Sequence, residues 1–172
     1  MNVRGAIFLI FTLFAAARDA EAQDAYLWRQ AMGGTVIGQP GVYLDSVIVA
    51  LDSGSLKAYS AAGKFAWEYS SNGKLCKWFT LSREGASYIC KTNGQFIAVN
   101  NAGRELWKTG LDAVLSGPVV TGWDGRVFVP AGKKICCFTA AGTPLWTLEL
   151  DAAVSAGPWP DSAGNILLAL EN

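Results

Sequence analysis

The stretch AGKFAW at residues 62–67 returns, with small changes, as AGRELW at 102–107 and as AGTPLW at 141–146. In each copy a glycine precedes a tryptophan by four positions. Trp28 extends the series toward the N-terminus, so that successive tryptophans are separated by 39, 40 and 39 residues: Trp28, Trp67, Trp107 and Trp146. A fixed period of about 40 residues indicates a repeat architecture in which each unit is one supersecondary element.

Each repeat unit is predicted to contain four short strands. The first strand includes a proline in three of the units: Pro40, Pro118 and Pro158. The following runs are rich in β-branched and aromatic residues, and glycine turns such as Asn93-Gly94 and Asp124-Gly125 separate them. The sequence therefore predicts an all-β fold, a β-propeller of four-stranded antiparallel blades. A β-sandwich is the alternative, but it does not require the same tryptophan on every fourth strand.

The strand count predicts about three full blades plus partial ones, arranged in an incomplete ring. Within a repeat region at residues 23–172, we expect blades at about 35–70, 77–109 and 116–150, and a partial blade at 156–172. A lone outer strand at Trp28 precedes them. Because propellers typically have four to eight blades, this pattern is expected for the N-terminal piece of a longer propeller. A strained four-bladed ring is the alternative.

Residues 1–22 are predicted to be a secretory signal peptide. Arg4 supplies a positive charge, residues 6–17 form an apolar run, and the AEA sequence at 20–22 fits a cleavage site before Gln23. The apolar run is shorter than the roughly 20 residues that span a membrane. We therefore expect an exported protein, periplasmic or extracellular, without a membrane span after cleavage. An uncleaved N-terminal anchor is the alternative.

Charge argues against a nucleic-acid partner. The whole chain has 14 basic and 14 acidic residues. Removal of the signal peptide takes away Arg4, Arg18, Asp19 and Glu21, which leaves 12 of each. Without a basic patch there is no electrostatic feature that would attract nucleic acid or anionic lipid.

The glycine-to-tryptophan phrase, together with apolar strands such as LKAY at 56–59 and proline-led strands such as SGPVV at 116–120, resembles the PQQ-like β-propeller repeat family. That family includes quinoprotein dehydrogenases and the propeller subunit of the bacterial outer-membrane barrel-assembly machine. The resemblance extends from Trp28 to the C-terminus. It implies that the outer-strand tryptophans dock between neighbouring blades, so a structural blade-docking role is assigned to seven residues: Trp28, Trp67, Trp107, Trp146, Gly63, Gly103 and Gly142.

The resemblance also raises the question of a quinone site. In quinoprotein alcohol dehydrogenases, adjacent cysteines form a strained ring that stacks on the quinone, and Cys136 and Cys137 are adjacent here. However, the run KICCF at 134–138 is predicted to be a regular strand, in which successive side chains point to opposite faces. The four cysteines match no disulfide framework and no zinc pattern, which favours free buried thiols but leaves their redox state open: Cys76, Cys90, Cys136 and Cys137.

Histidine is absent from the sequence, which excludes Ser-His-Asp and Cys-His catalysis and histidine-containing metal sites in this chain. Four aspartates are interpreted as turn residues rather than calcium ligands: Asp45, Asp52, Asp124 and Asp161. We therefore expect no catalytic, cofactor or metal residues, and neither PQQ nor calcium.

Two tryptophans outside the main period, Trp123 and Trp159, are candidates for an exposed binding surface, because exposed aromatics can mark a binding face. The predicted function is that of an exported, non-catalytic scaffold that binds a protein or ligand in the cell envelope. The alternative is a fragment of a PQQ-dependent quinoprotein dehydrogenase.

Overall fold

The structure is a computed structural model that describes residues 27–171. The predicted signal peptide and its cleavage site lie outside the described residues. Residues 27–171 form fourteen strands and no helix. It follows that this part of the chain contains no helix long and apolar enough to cross a membrane.

The fourteen strands form four antiparallel sheets, each made of consecutive strands. Blade 1 contains β1 (Val36–Tyr43), β2 (Ser46–Leu51), β3 (Ser55–Ser60) and β4 (Phe65–Ser70). Blade 2 contains β5 (Leu75–Leu81), β6 (Ser87–Lys91), β7 (Gln95–Val99) and β8 (Glu105–Gly110). Blade 3 contains β9 (Val120–Thr121), β10 (Val127–Ala131), β11 (Lys134–Phe138) and β12 (Pro144–Glu149). Blade 4 contains only β13 (Val154–Pro160) and β14 (Ile166–Leu170).

The position of a strand within its blade explains its sequence. The second strands β2, β6 and β10 are continuous apolar runs, buried over most of their length because both of their faces are covered. Neighbouring blades cover β6 and β10, whereas β2 lies between blade 2 and the segment that contains Trp28 and Met32. The fourth strands β4 and β8 have their tryptophan half-buried and the residues on either side of it exposed, since only one face meets another blade. Successive side chains of a strand point to opposite faces, so these two burial patterns separate inner from outer strands.

The hydrophobic core lies in the seams between consecutive blades. Between blades 2 and 3, Tyr88 and Phe96 are buried together with Phe138. Between blades 3 and 4, Ile166 and Leu168 pack against a cluster that includes Phe128. Burying one such side chain stabilises the fold by roughly 1.5–3 kcal/mol, so the blades are held mainly by contact with their neighbours.

The blades form an open arc and not a closed ring. Consecutive blades contact each other through their first strands, β1 with β5 and β9 with β13. Apolar side chains remain exposed on both terminal blades: Val42 and Leu44 on blade 1, Trp159 and Leu167 on blade 4. The predicted all-β fold, with about three full blades, a partial blade and an incomplete ring, is confirmed.

The expected outer strand at Trp28 is not observed. Residues 27–35 form no strand, and this segment lies across blade 1 instead. The Lys57 ammonium group donates to the Met32 carbonyl oxygen, and the Asp52 amide donates to the Thr35 carbonyl oxygen. The physical reason is that an outer strand forms only beside the third strand of its own blade, and within residues 27–171 no such strand lies next to this segment. The segment attaches to blade 1 mainly through side chains, as in the bonds from Trp28 and Gln30 to the Ala61 and Gly63 carbonyl oxygens.

Candidate binding surface

Three of the predicted docking tryptophans make the same hydrogen bond to the next blade along the chain. The indole N–H of Trp28 donates to the Ala61 carbonyl oxygen at 2.9 Å. In the same way, the indole N–H of Trp67 donates to the Asn101 carbonyl oxygen at 2.9 Å, and that of Trp107 donates to the Ala140 carbonyl oxygen at 2.8 Å. Each acceptor belongs to the turn between the third and fourth strands of the blade that receives the ring. We call this contact the seam contact.

A glycine lies under each of these three rings. A Cβ atom added to Gly63, Gly103 or Gly142 would fall 2.5–2.6 Å from an indole carbon. The three glycines also have φ between 74° and 83°, a region that side chains with a Cβ rarely adopt. Each seam contact therefore requires glycine for two reasons, the space below the ring and the conformation of the turn.

Trp146 is the fourth member of the series and differs from the others. No acceptor for its indole N–H and no glycine turn under its ring occur within residues 27–171. The ring packs against Phe128, with 6.1 Å between centroids, and 39% of the residue is exposed. The other three seam tryptophans are half-buried.

A second aromatic feature lies at the turns between first and second strands, at the same end of each blade as the seam contacts. Trp123, in the β9–β10 turn of blade 3, is 69% exposed. The guanidinium carbon of Arg83, from the β5–β6 turn of blade 2, lies 4.1 Å from the centroid of its ring. A cation over an indole face is attracted by the ring quadrupole, so Arg83 positions this ring across the blade boundary. We call the pair the Trp123 platform.

A shallow cleft adjoins the Trp123 platform, between the β9–β10 and β13–β14 turns. Its lining includes Trp123, Arg126 and Pro160, but not Trp159, which is exposed on blade 4. The Asp124 carboxylate accepts hydrogen bonds from the Arg126 amide and guanidinium, which keep its pKa below the usual range. The volume of the cleft is about 90 Å³, which is smaller than the ~300–1,000 Å³ of small-molecule sites. It is better suited to a contact with a protein surface.

The cysteines lie in regular strands. All four thiols are free; Cys90 and Cys137 are buried, whereas Cys76 and Cys136 are half-buried. Cys137 packs between blades 3 and 4, and Cys136 packs toward blade 2, so adjacent thiols point to opposite faces of β11.

Sequence reasoning missed that the thiols of Cys76 on β5 and Cys90 on β6 lie next to each other. Cys76 packs against the buried cluster that contains Cys90. The contact between the two thiols lowers the pKa of Cys76, and the same contact, with burial, raises the pKa of Cys90. The register of β5 against β6 shifts between Leu75 and Phe79. Sequence spacing carried no signal for this pair, because the bulge determines which residues face each other.

The turn aspartates do not assemble into a cation site. The Asp161 carboxylate accepts hydrogen bonds from the backbone amides of Ala163 and Asn165, which stabilise its own turn. In the part of the chain that the structure describes, no group of three or more cysteine, aspartate or glutamate side chains could hold a metal ion. The observed role of Asp161 and Asp124 is to hydrogen-bond their own turns.

Stacked four-stranded blades with a tryptophan at each seam define the class of protein as a β-propeller repeat protein. Residues 92–170 match the family model described as outer membrane protein assembly factor BamB. The resemblance to PQQ-like β-propeller repeats is thereby confirmed. No curated protein matches the sequence.

Solved propellers share the fold at low sequence identity. BamB from Moraxella catarrhalis superposes with a TM-score of 0.58 at 20% identity, over 66% of this chain and 35% of that one. BBS1N, solved in complex with ARL6DN and soaked with mercury, superposes with a TM-score of 0.60 at 16% identity, over 79% of this chain and 47% of that one. Apo AztD from Citrobacter koseri superposes with a TM-score of 0.54 at 10% identity, over 69% of this chain and 35% of that one. The chain therefore matches between about a third and a half of the length of these structures.

Proposed function

We propose that this chain is an exported, non-catalytic β-propeller scaffold that binds a protein partner in the cell envelope. The observation that carries the proposal is the Trp123 platform, a large exposed indole in cation–π contact with Arg83 of the neighbouring blade. Tryptophan and arginine are among the residues most enriched at binding hot spots, and a ring that already rests against a neighbouring side chain loses less conformational freedom when a partner binds.

Two further observations support an envelope location. Residues 1–22 have the composition of a secretory signal peptide. The family whose model matches residues 92–170 is described as an outer membrane protein assembly factor. Export is tested by N-terminal mass analysis of the secreted or periplasmic product, which should begin at Gln23. A cytosolic product that retains Met1 would contradict the proposal.

The proposal includes no cofactor, neither PQQ nor calcium. Cys136 and Cys137 point to opposite faces of a paired strand, whereas a ring between adjacent thiols needs a distorted backbone. Added PQQ and calcium should therefore give no saturable binding and no turnover with dye acceptors. Micromolar quinone binding that disappears in Cys136→Ser would instead establish the dehydrogenase alternative.

A photo-cross-linker in the cleft tests the binding role directly. Ser162 lines the cleft beside Trp123, so a photoreactive residue at position 162 of the full-length protein should yield a discrete protein adduct in the producing cell. Trp123→Ala should abolish the adduct, whereas Trp123→Phe should retain part of it. The same photoreactive residue at exposed Val42 is the matched control. An adduct from position 162 that is indifferent to Trp123→Ala would refute the proposed surface.

A further inference from the structure

Two thiols of blade 2 face each other across neighbouring strands. In the β5–β6 ladder, Leu75 is paired with Lys91. Because the two strands are antiparallel, the next residues inward from this pair are Cys76 on β5 and Cys90 on β6. Both side chains lie in the same apolar cluster, in the seam between blades 2 and 3. The two sulfur atoms are therefore neighbours on one face of blade 2.

Cross-strand neighbours of this kind have the separation that a disulfide needs. Directly opposite residues of an antiparallel pair have Cα atoms about 4.5–5.5 Å apart, and a disulfide joins Cα atoms that are about 4.4–6.8 Å apart. The register of the ladder also shifts between Leu75 and Phe79, so the pairing of β5 is interrupted beside Cys76 and small adjustments of the backbone are less restricted there.

The two thiols differ in access and in acidity. Cys76 is half-buried, whereas Cys90 is buried and its thiol donates to the Lys91 carbonyl oxygen at 3.4 Å. Their contact lowers the pKa of Cys76 and, with burial, raises the pKa of Cys90. The thiolate is the species that attacks a disulfide, so Cys76 is the thiol that reacts first with an external disulfide.

We propose that Cys76 and Cys90 are a modification site, at which a disulfide donor closes a disulfide between β5 and β6. The donor is a small molecule or an oxidoreductase that carries a disulfide, as in oxidising compartments. The Cys76 thiolate attacks one donor sulfur, and the other donor sulfur leaves as a thiolate. The Cys90 thiol then loses its proton and attacks the Cys76 sulfur, which releases the second donor sulfur. The protein loses two protons and two electrons, and the donor is reduced to two thiols.

The bond would close residues 76–90 into a loop that contains the β5–β6 turn. Arg83 belongs to this turn and lies over the Trp123 ring. A cross-link restricts the unfolded chain and thereby stabilises the folded state. Oxidation is therefore expected to stabilise the hairpin that carries Arg83.

The other two cysteines have no thiol beside them on their neighbouring strands. On β11, Cys136 lies opposite Val129 and Thr147. Cys137 is on the other face of the strand, in the seam between blades 3 and 4. Cys136 is nevertheless half-buried in the same seam as Cys76, which makes it the matched control.

The test uses the full chain, reduced and then equilibrated in its folded state with oxidised glutathione. The mass should fall by two hydrogen atoms, and iodoacetamide added in denaturant should label two of the four cysteines. Trypsin cleaves after lysine and arginine, so the digest should contain residues 75–77 joined to residues 84–91. The urea midpoint should be higher in the oxidised protein than in the reduced protein, and it should return to the lower value on reduction.

Three variants define specificity. Cys76→Ser and Cys90→Ala should each lose the joined peptides and the dependence of the urea midpoint on oxidation. Cys136→Ser should retain both. Circular dichroism of each reduced variant establishes that its blades are intact, and Cys76→Ser is the milder of the two pair variants because Cys76 is only half-buried.

Three outcomes would overturn the inference. The first is a folded protein that, after equilibration, keeps four free thiols or carries glutathione on Cys76. The second is a disulfide that includes Cys136 or Cys137 in place of the predicted one. The third is an oxidised protein with a lower urea midpoint than the reduced one, which would show that the bond distorts blade 2. The cross-linking test at position 162 depends on other residues, so the proposed function and this inference can fail independently.

Discussion

The seam glycines are the positions at which one methyl group should matter most. Gly103 has φ 74° and would place a Cβ 2.6 Å from the Trp67 ring. We expect Gly103→Ala to destabilise the protein by at least about 1–2 kcal/mol, the conformational cost of a left-handed residue alone, with the clash added. The measurement is the shift in urea midpoint, read from near-UV circular dichroism.

Gly110→Ala is the matched control for Gly103→Ala. Gly110 lies on β8 in ordinary backbone, and a Cβ there would meet no atom within 4 Å. This substitution should be neutral or slightly stabilising, because alanine restricts the unfolded chain more than glycine does. Equal losses at both positions would mean that the glycine under Trp67 is not specifically required.

The seam tryptophans should contribute far more to stability than the exposed one. Trp67→Ala and Trp107→Ala are each expected to cost about 3 kcal/mol or more, the usual range for a large aromatic lost from a packed site. Trp123→Ala should cost much less, because most of that ring is exposed. The urea midpoints of the three variants, compared at the same low protein concentration, rank their losses of stability. Comparable losses at all three would contradict the assigned seams.

The thiol pair on β5 and β6 predicts a pH dependence. The contact with the Cys90 thiol lowers the pKa of Cys76, and the thiolate is the nucleophile. Alkylation of Cys76 by iodoacetamide should therefore rise with pH and reach half its plateau rate at a lower pH than that of an ordinary thiol. Cys90→Ala removes the neighbouring thiol, so the midpoint should move to higher pH. Mass mapping of the modified peptide gives the rate, and a midpoint unchanged by Cys90→Ala would exclude the Cys90 thiol as its cause.

At the scale of the strand, the structure predicts a gradient of hydrogen exchange. Strands β6 and β10 are paired on both sides and buried, so their amides should exchange only through large opening events. Within residues 27–171, the amides on the open edge of β14 have no ladder partner, so they should exchange orders of magnitude faster. Exchange followed by NMR or mass spectrometry distinguishes the two, and equal protection would show that the β14 edge is already covered.

The strands themselves could be predicted because their apolar runs and turn dipeptides are local signals. Residues 127–131, for example, are an uninterrupted apolar run that follows Asp124-Gly125. The segment at Trp28 could not be assigned correctly in this way, since its tryptophan has the right period but strand pairing depends on a neighbour that is distant in sequence. The period gives the spacing of the seam residues but not which tryptophan meets which glycine. Arg83 over Trp123 was not foreseen for the same reason, because the two residues belong to different blades.

At the scale of the whole molecule, the open arc predicts poor solubility. Val42 and Leu44 are exposed at one end, and Leu148 and Leu167 are exposed near the other. In stacked repeats the terminal units need polar outer faces to remain soluble. Residues 23–172 expressed alone should therefore aggregate or unfold over a broad range, as followed by light scattering and calorimetry. A compact monomer with one sharp transition would show that the arc closes.

The seam contacts also impose an order on biosynthesis. Each indole N–H reaches a carbonyl that lies 33 or 34 residues further along the chain. On a translating ribosome the tryptophan thus emerges before its acceptor turn, with a delay of roughly 2–7 s at about 5–20 residues per second. During most of elongation the newest seam tryptophan lacks its acceptor, and each new turn covers that ring shortly before the next seam tryptophan is made. We therefore expect folding to proceed from the N-terminal blade onward as the chain emerges, whether from the ribosome or from a secretion channel.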